Sequence, residues 1–261
     1  MSTGMLNHLK HFVRGSPLGE PAKRLYRRFR PLSPAERDAH YNYETEQVMA
    51  RVLQADSVGI DVGANRGFFL NTMVRLAPQA RHWAFEPLPA YAALLRATFP
   101  QVEICEAALS ERGGPVTFHH AVAAPGWSGL ARRTVGPLAT TEWEDLTVAG
   151  ARLDDVIPEE TPVAFIKIDV EGAEYGVFRG GEQLLRRHRP VVVFEHDHAN
   201  AEQYGPQSGL VYDFLRDCGM RATTMARWLS RQPALTRPAF IRQCETGEDF
   251  YFMAHADPGK A

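Results

Sequence analysis

Only three cysteines, Cys105, Cys218 and Cys244, occur in 261 residues. They are odd in number, far apart and never in a C-x-x-C pair. That excludes a disulfide scaffold and a thiolate zinc site, and it fits a reducing compartment. Long apolar runs are missing too, and none approaches the roughly 18 residues that a membrane span needs. The stretch from Met1 to Gly19 is broken by His8, Lys10, His11 and Arg14, so it lacks the apolar core of a secretory signal. An excess of one charge is equally absent, with 29 basic against 31 acidic residues and a net charge of −2. This argues against a whole-molecule grip on nucleic acid. Lysine is scarce, at four (Lys10, Lys23, Lys167, Lys260) against 25 arginines, and Lys167 stands alone in the body of the chain. No internal repeat is visible. The remaining composition, 44% apolar and 23% charged, is that of a soluble cytoplasmic protein able to bury a full core.

Residues 1–40 differ from the rest. Between Met1 and Arg30, Lys10, Arg14, Lys23, Arg24, Arg27, Arg28 and Arg30 stand against one acid, Glu20, and Gly15, Pro17, Gly19, Pro21, Pro31 and Pro34 break the 1–40 segment into pieces. It reads as a basic arm, either solvated or touching an anionic lipid or a polyanionic substrate. Residues 41–261 read as one domain in which strands and helices alternate. Helices are predicted over Glu44–Leu53, Gly67–Leu76, Pro89–Thr98, Ala173–His188 and Leu210–Cys218. Strands are predicted over Ser57–Asp61, His82–Glu86, Val102–Glu106, Pro115–His119, Pro162–Asp169 and Pro190–Glu195, with two more near 221–225 and 249–255. Residues 121–150, rich in Gly, Pro and Thr, read as a long loop or insertion. Near-continuous apolar strands alternating with helices imply a mostly parallel sheet covered on both faces, with ligands at the carboxyl ends of the strands. Four strands end in an acid: Asp61, Glu86, Asp169 and Glu195. Carboxylates gathered at one edge are costly unless they have a use.

The turn Asp61-Val-Gly63-Ala-Asn65-Arg-Gly67 joins a strand to a helix, where glycine lets backbone approach a ligand. The dinucleotide fingerprint G-x-G-x-x-G is not met. An acid at position 61 suits a cationic amino group better than a pyrophosphate. The loop resembles the D-x-G-x-x-x-G turn of class I S-adenosylmethionine-dependent methyltransferases, with Asn65 in place of the usual middle glycine. Glu86, at the end of the second strand, stands where an acid accepts hydrogen bonds from ribose hydroxyls. Asp61, Gly63, Asn65, Gly67 and Glu86 are therefore candidate cofactor contacts, against the alternative of a structural turn.

Over roughly Glu46 to His196 the sequence resembles the FkbM family of methyltransferases. The resemblance rests on Gly59-Ile-Asp-Val-Gly-Ala-Asn65, Phe85-Glu86-Pro87, Ala107-Ala-Leu-Ser110 with Gly113-Gly114, and Leu153-Asp154-Asp155. It rests further on Ile166-Lys-Ile-Asp-Val-Glu-Gly-Ala-Glu174 and on Arg189-Pro190 with Phe194-Glu195. It implies a class I methyltransferase (Rossmann-like) fold, an α/β sheet of about seven mostly parallel strands with the last antiparallel. It also implies methyl transfer from S-adenosylmethionine, often to a hydroxyl of a sugar or polyketide. Glu106 and Ala107, after the third strand, would border the adenine. Trp127-Ser128-Gly129 could close over the cofactor or form a plain turn.

Lys167, Asp169 and Glu171 follow one another at period two along and just past a strand. Methyl transfer to an alcohol needs in-line approach and a route for the hydroxyl proton. Asp169 would face the methyl group, and Glu171 or His196 could take the proton. Lys167 would hold neighbouring carboxylates ionised or serve as a structural ion pair. Asp169 and Glu195 could instead share a divalent ion such as magnesium with Glu171 or His196. Asp197 and His198 then start a loop, and His119-His120 read as a surface strand end rather than as ligands.

The favoured function is an O-methyltransferase acting on a small-molecule, glycan or glycolipid acceptor, free of nucleic acid, with peripheral membrane contact through the arm as an added expectation. The rivals are a metal-dependent hydrolase and a non-catalytic cofactor-binding surface module. The first rival leaves the 61–67 turn and Glu86 without purpose and has no H-E-x-x-H signature.

Overall fold

The computed structural model describes residues 34–132, 142–196, 204, 207–257 and 259. The chain divides into two compact units, Met1–Asn42 and Tyr43–Ala261. The basic stretch before Pro34, together with Asp197 and His198, lies outside the described residues. Among the described residues no helix is long and apolar enough to cross a membrane.

Helix α1 (Pro34–Val52) starts ten residues before the predicted Glu44. A proline is tolerated in the first turn, where its missing N–H is not needed. Strand β1 (Val58–Val62) leads to α2 (Phe68–Leu76), β2 (Trp83–Phe85) to α3 (Pro89–Thr98), and β3 (Glu103–Cys105) follows, all within a residue or two of expectation. After the short β4 (Ala108–Leu109) the chain departs from it. Strand β5 (Gly114–Ala121) does not join the main sheet. It pairs antiparallel with β6 (Trp143–Ala151), inside the stretch expected to be a loop, and β6 also pairs with β4. In β6 only Val148 is buried and the other residues are exposed or half-buried, so local pattern gave no sign of a strand. Its identity comes from its partner.

Helix α4 (Leu153–Val156) precedes β7 (Val163–Ile168). The single helix expected over Ala173–His188 is two, α5 (Glu174–Gly180) and α6 (Glu182–His188). They break at a glycine pair with no room for side chains: a Cβ on Gly180 would stand 2.1 Å from the Ser110 carbonyl oxygen. Strand β8 (Val191–Glu195), α7 (Ser208–Asp217), β9 (Met220–Thr223), α8 (Met225–Leu229), α9 (Arg237–Thr246) and β10 (Tyr251–Ala256) complete the order.

The main sheet has seven strands in the order β3-β2-β1-β7-β8-β10-β9. Only β10 runs antiparallel to its neighbours, so this is the mostly parallel α/β sheet of the class I methyltransferases. All five residues of β1 are buried, as a strand covered on both faces requires. Val58, Ile60, Ile166, Ile168, Val192, Phe194 and Phe252 share one core with Phe178, Leu185, Phe214 and Phe240 from the helices. Phe178 meets Phe194 edge-on at 5.2 Å, and truncating such a ring to alanine costs about 3–5 kcal/mol. The alternate residues Asp61 and Lys167 point to the opposite face, side by side because β1 and β7 pair Asp61 with Lys167.

His82 ties the first two strands together. The Gly59 N–H donates to its Nδ1 at 3.1 Å, so the ring proton sits on Nε2, which donates to the Ala77 carbonyl at 2.9 Å. Burial holds its pKa below the ordinary value of 6.5. An unfolded histidine gains a proton as pH falls past that value while the folded one resists, so stability drops on the acid side. Urea midpoints measured from pH 8 to pH 5 are expected to fall below pH 6.5 in the parent and less steeply in His82→Gln. Equal slopes would assign the effect to another group.

Candidate active site

The turn after β1 is built from left-handed residues: Gly63 at φ +74, Asn65 at φ +49 and Gly67 at φ +80. Asparagine tolerates this region better than other side chains, which accounts for its standing where related loops have glycine. A Cβ on Gly63 would lie 2.0 Å from the Asp169 carbonyl oxygen, and one on Gly67 would lie 2.5 Å from the Phe99 ring. The two turns therefore touch backbone to backbone. Gly63 and Ala64 donate to the Phe85 carbonyl at 3.0 and 3.1 Å. Glu86 completes the join, accepting from Asn65 N–H at 2.8 Å and from Leu88 N–H at 2.9 Å. Burial raises its pKa, against those two N–H donors.

A cleft with about 550 Å³ of empty space, its open mouth included, lies over this edge. Gly63, Asn65, Glu86, Ala107, Asp169 and Glu171 line it. Its other wall comes from the small sheet. The turn Pro125–Trp127 brings Gly126 against Asn65, and Gly129 packs against Glu171. Ser128 is pinned there, accepting from the Ala121 N–H at 3.0 Å with His120 Nδ1 at 3.2 Å.

Behind the cleft lies the acid cluster. Lys167 Nζ stands 3.6 Å from Asp61 Oδ1 and 3.4 Å from Asp169 Oδ2, donates to the Gly63 carbonyl at 3.1 Å, and lies over the Phe69 ring. Burial works against its charge, but Asp169 and Asp61 outweigh that and hold its pKa above the ordinary lysine value. Burial raises the Asp61 carboxyl, with Lys167 opposing. Asp169 goes the other way. Burial would lift it, yet Lys167 and hydrogen bonds from Glu195 and Tyr251 hold it below the usual value. The Tyr251 hydroxyl donates to Asp169 Oδ2 at 2.8 Å. Burial and then the Asp169 charge push Glu195 well above the carboxylate range. The two carboxyls are thus driven apart, Asp169 toward the ionised form and Glu195 toward the protonated one.

Several expected residues are placed elsewhere. Asp61 faces Lys167, and neither it nor Gly67 lines the cleft. Glu106 turns outward to Arg96 at 2.9 Å, away from the wall that Ala107 joins. His196 is fully buried, stacked on Phe240, with Nε2 3.2 Å from Ser208 Oγ, and it does not line the cleft. His119 is engaged with Asp145 at 2.6 Å beside Arg132. Carboxylate oxygens of Asp169, Glu171 and Glu195 lie within 4.8 Å of one another, the spacing of a candidate cation site. Two of those acids, Asp169 and Glu195, are hydrogen-bonded to each other beside the Lys167 ammonium group. Tyr251 was not found from the sequence. It reaches the cluster because β10 runs antiparallel to β8 and sets Tyr251 opposite Glu195, a pairing that no local motif encodes.

Residues 61–222 match the model of the methyltransferase FkbM domain. The 2-O-methyltransferase NoeI of Sinorhizobium fredii is 31% identical over 175 residues, covering 62% of this chain and 71% of that protein. The AMB antimetabolite synthetase AmbE of Pseudomonas aeruginosa is 30% identical over 209 residues, covering 66% of this chain but 10% of the synthetase. Among solved structures, a methyltransferase FkbM from Methylobacillus flagellatus aligns at a TM-score of 0.48 and 15% identity, over 78% of this chain and 44% of that one.

Lys167→Met leaves two carboxylates buried without their counter-charge and is expected to destabilise the fold by about 3–5 kcal/mol at pH 8. Adding Asp61→Asn should recover part of the loss. Urea unfolding of the parent, the single and the double variant checks this. A single variant as stable as the parent would show that the lysine does not hold the acids.

Proposed function

The chain belongs to the FkbM methyltransferase family, and from that premise we propose that it transfers a methyl group from S-adenosylmethionine to a hydroxyl of a small sugar, glycoside or polyketide-type acceptor. One observation carries the cofactor assignment. Glu86, locked by two backbone N–H groups, lines a cleft together with Gly63, whose turn is packed against the Asp169 carbonyl with no room for a Cβ. An acid so placed, at the end of the strand next to β1, is suited to paired ribose hydroxyls. Ala107 and Leu88 add apolar wall for a flat base. The name of the 2-O-methyltransferase relative supports oxygen as the accepting atom.

When bound, S-adenosylmethionine supplies an electrophilic methyl group. The residues of the chain do the rest. Asp169 is kept ionised by Lys167, Tyr251 and Glu195, so it orients an acceptor hydroxyl and is a poor proton acceptor. Glu171, on the same wall of the cleft, takes the hydroxyl proton as the new C–O bond forms. His196 is removed from this role by its burial. The small sheet's turn over Asn65 and Glu171 limits water at the reacting centre. The Lys167 ammonium beside Asp61 and Asp169 already brings positive charge to the cluster, which favours proton transfer without a metal. The hydrolase reading fares worse, because His119 and His120 are committed to Asp145 and Ser128.

Titration calorimetry with S-adenosylmethionine, followed by labelled-methyl transfer to glycosides with a free 2-hydroxyl, tests the proposal. Glu86→Ala is expected to weaken cofactor binding by about 1.5–3 kcal/mol, the loss typical of hydrogen bonds to a charged group. Parent-like affinity in that variant would move the cofactor elsewhere. Turnover is expected to persist in excess chelator. A fall to background that magnesium reverses would instead put an ion among Asp169, Glu171 and Glu195.

A further inference from the structure

The chain holds one more acid near the cleft, and nothing above uses it. Glu174 opens α5, is 1% exposed and does not line the cleft. Its Oε1 accepts the Gly172 N–H at 3.0 Å and the Val170 N–H at 3.4 Å. Among the described residues its Oε2 has no hydrogen-bond partner and lies 4.0 Å from His196 Nδ1, which has none either. Between the two tethered N–H groups sits Glu171, with φ +57, followed by Gly172 at φ +101. A left-handed glutamate is costly, roughly 1–3 kcal/mol, and persists only where its surroundings enforce it. The geometry points to Glu174 as a positioning residue: its carboxylate clamps the backbone on either side of Glu171 and so keeps that carboxylate on the cleft wall.

The clamp is itself held. His196 backs the free oxygen, and the histidine is fixed by its N–H to the Phe250 carbonyl at 2.7 Å, by Ser208 Oγ at 3.2 Å and by the Phe240 ring. A carboxylate with a buried, unspent oxygen is an expensive way to cap a turn. It is reasonable where the turn must carry a strained residue into a reaction site. The alternative conformation, with Glu171 at negative φ, would swing its carboxylate away from Asp169 and Gly129. On this reading His196, expected from the sequence as a proton acceptor, acts from behind, through Glu174.

The inference rests on the proposed role of Glu171, and the experiment separates the two. Glu174→Ala, Glu174→Gln, Glu171→Gln and the double variant Glu171→Gln/Glu174→Ala are compared at saturating S-adenosylmethionine in labelled-methyl transfer to the glycosides. Glu174→Ala is expected to lose about 10²-fold in kcat, the scale of a misplaced group at a reaction centre, with cofactor Kd changed less than about two-fold. Glu174→Gln keeps an oxygen for the two N–H groups and should retain most of kcat. In the Glu171→Gln background, Glu174→Ala should cost little more, because it works through Glu171. An equal loss in both backgrounds, or a parent-like kcat in a Glu174→Ala protein that is merely less stable, overturns the proposal. If the parent transfers no methyl group, the functional reading fails, and NMR still decides on the clamp. The Gly172 amide signal and the backbone shifts of Glu171 should change in Glu174→Ala and be preserved in Glu174→Gln. Unchanged shifts in Glu174→Ala would show that the turn holds itself.

Discussion

One ammonium group, Lys167 Nζ, sits between the carboxylates of Asp61 and Asp169 and donates to the backbone of Gly63. It joins three things that the site needs: the acid of β1, the acid that ends β7, and the glycine turn between β1 and α2. Without it the two acids could not both be ionised so close together out of water. The register of β1 against β7 makes the contact unavoidable, since Asp61 and Lys167 are direct neighbours on one face. The rest of the cleft is arranged around that pairing, because the Gly63 turn presses on the Asp169 backbone with no space for a Cβ.

Charge is then divided among acids of different fate. The Asp169 pKa is held below the usual value, that of Glu195 is pushed well above it, and the Tyr251 hydroxyl is committed to Asp169, with burial lifting its own pKa well above the usual value. These are opposite outcomes for two carboxyls at neighbouring strand ends. They follow from position: Asp169 meets the lysine first, and Glu195 is left facing Asp169 and Glu171. Such a separation of pKa values is how a fold assigns different tasks to like groups.

Two of the four left-handed non-glycine residues among the described residues lie at the same edge. Asn65 and Glu171 are both left-handed, and both lie where the small sheet closes on the large one. Each is stabilised by a carboxylate accepting backbone N–H groups nearby, Glu86 for the first and Glu174 for the second. The two acids act alike although only Glu86 lines the cleft. One cap thus doubles as a ligand contact and the other does not, a distinction that depends on which way the loop faces.

Much of this was legible from residue order alone. Near-continuous apolar runs ending in acids marked β1, β2, β7 and β8, and the Asp61–Gly67 turn and Glu86 marked the edge where a ligand would bind. The family also followed from residue order, through the Ile166–Glu174 stretch above all. Local signals were enough there because each strand is buried on both faces and each turn needs particular backbone angles. Where the determinant was a distant partner, they were not. Strand β6 buries only Val148 and exists because β5 pairs with it. Tyr251 reaches Asp169 only through the antiparallel register of β10 on β8. The period-two spacing of Lys167, Asp169 and Glu171 brought the right residues together. Yet which carboxyl pKa would rise, and that His196 would be sealed behind the wall, depended on burial and on neighbours that no local motif supplies, such as Asp169 beside Glu195 and Phe240 against His196. The sequence determined the elements and the chemistry available at their ends, through periodicity and turn geometry. The tertiary structure decided which groups face the cleft and which hold charge, because desolvation and Coulomb energy depend on what is packed nearby rather than on what is adjacent in the chain.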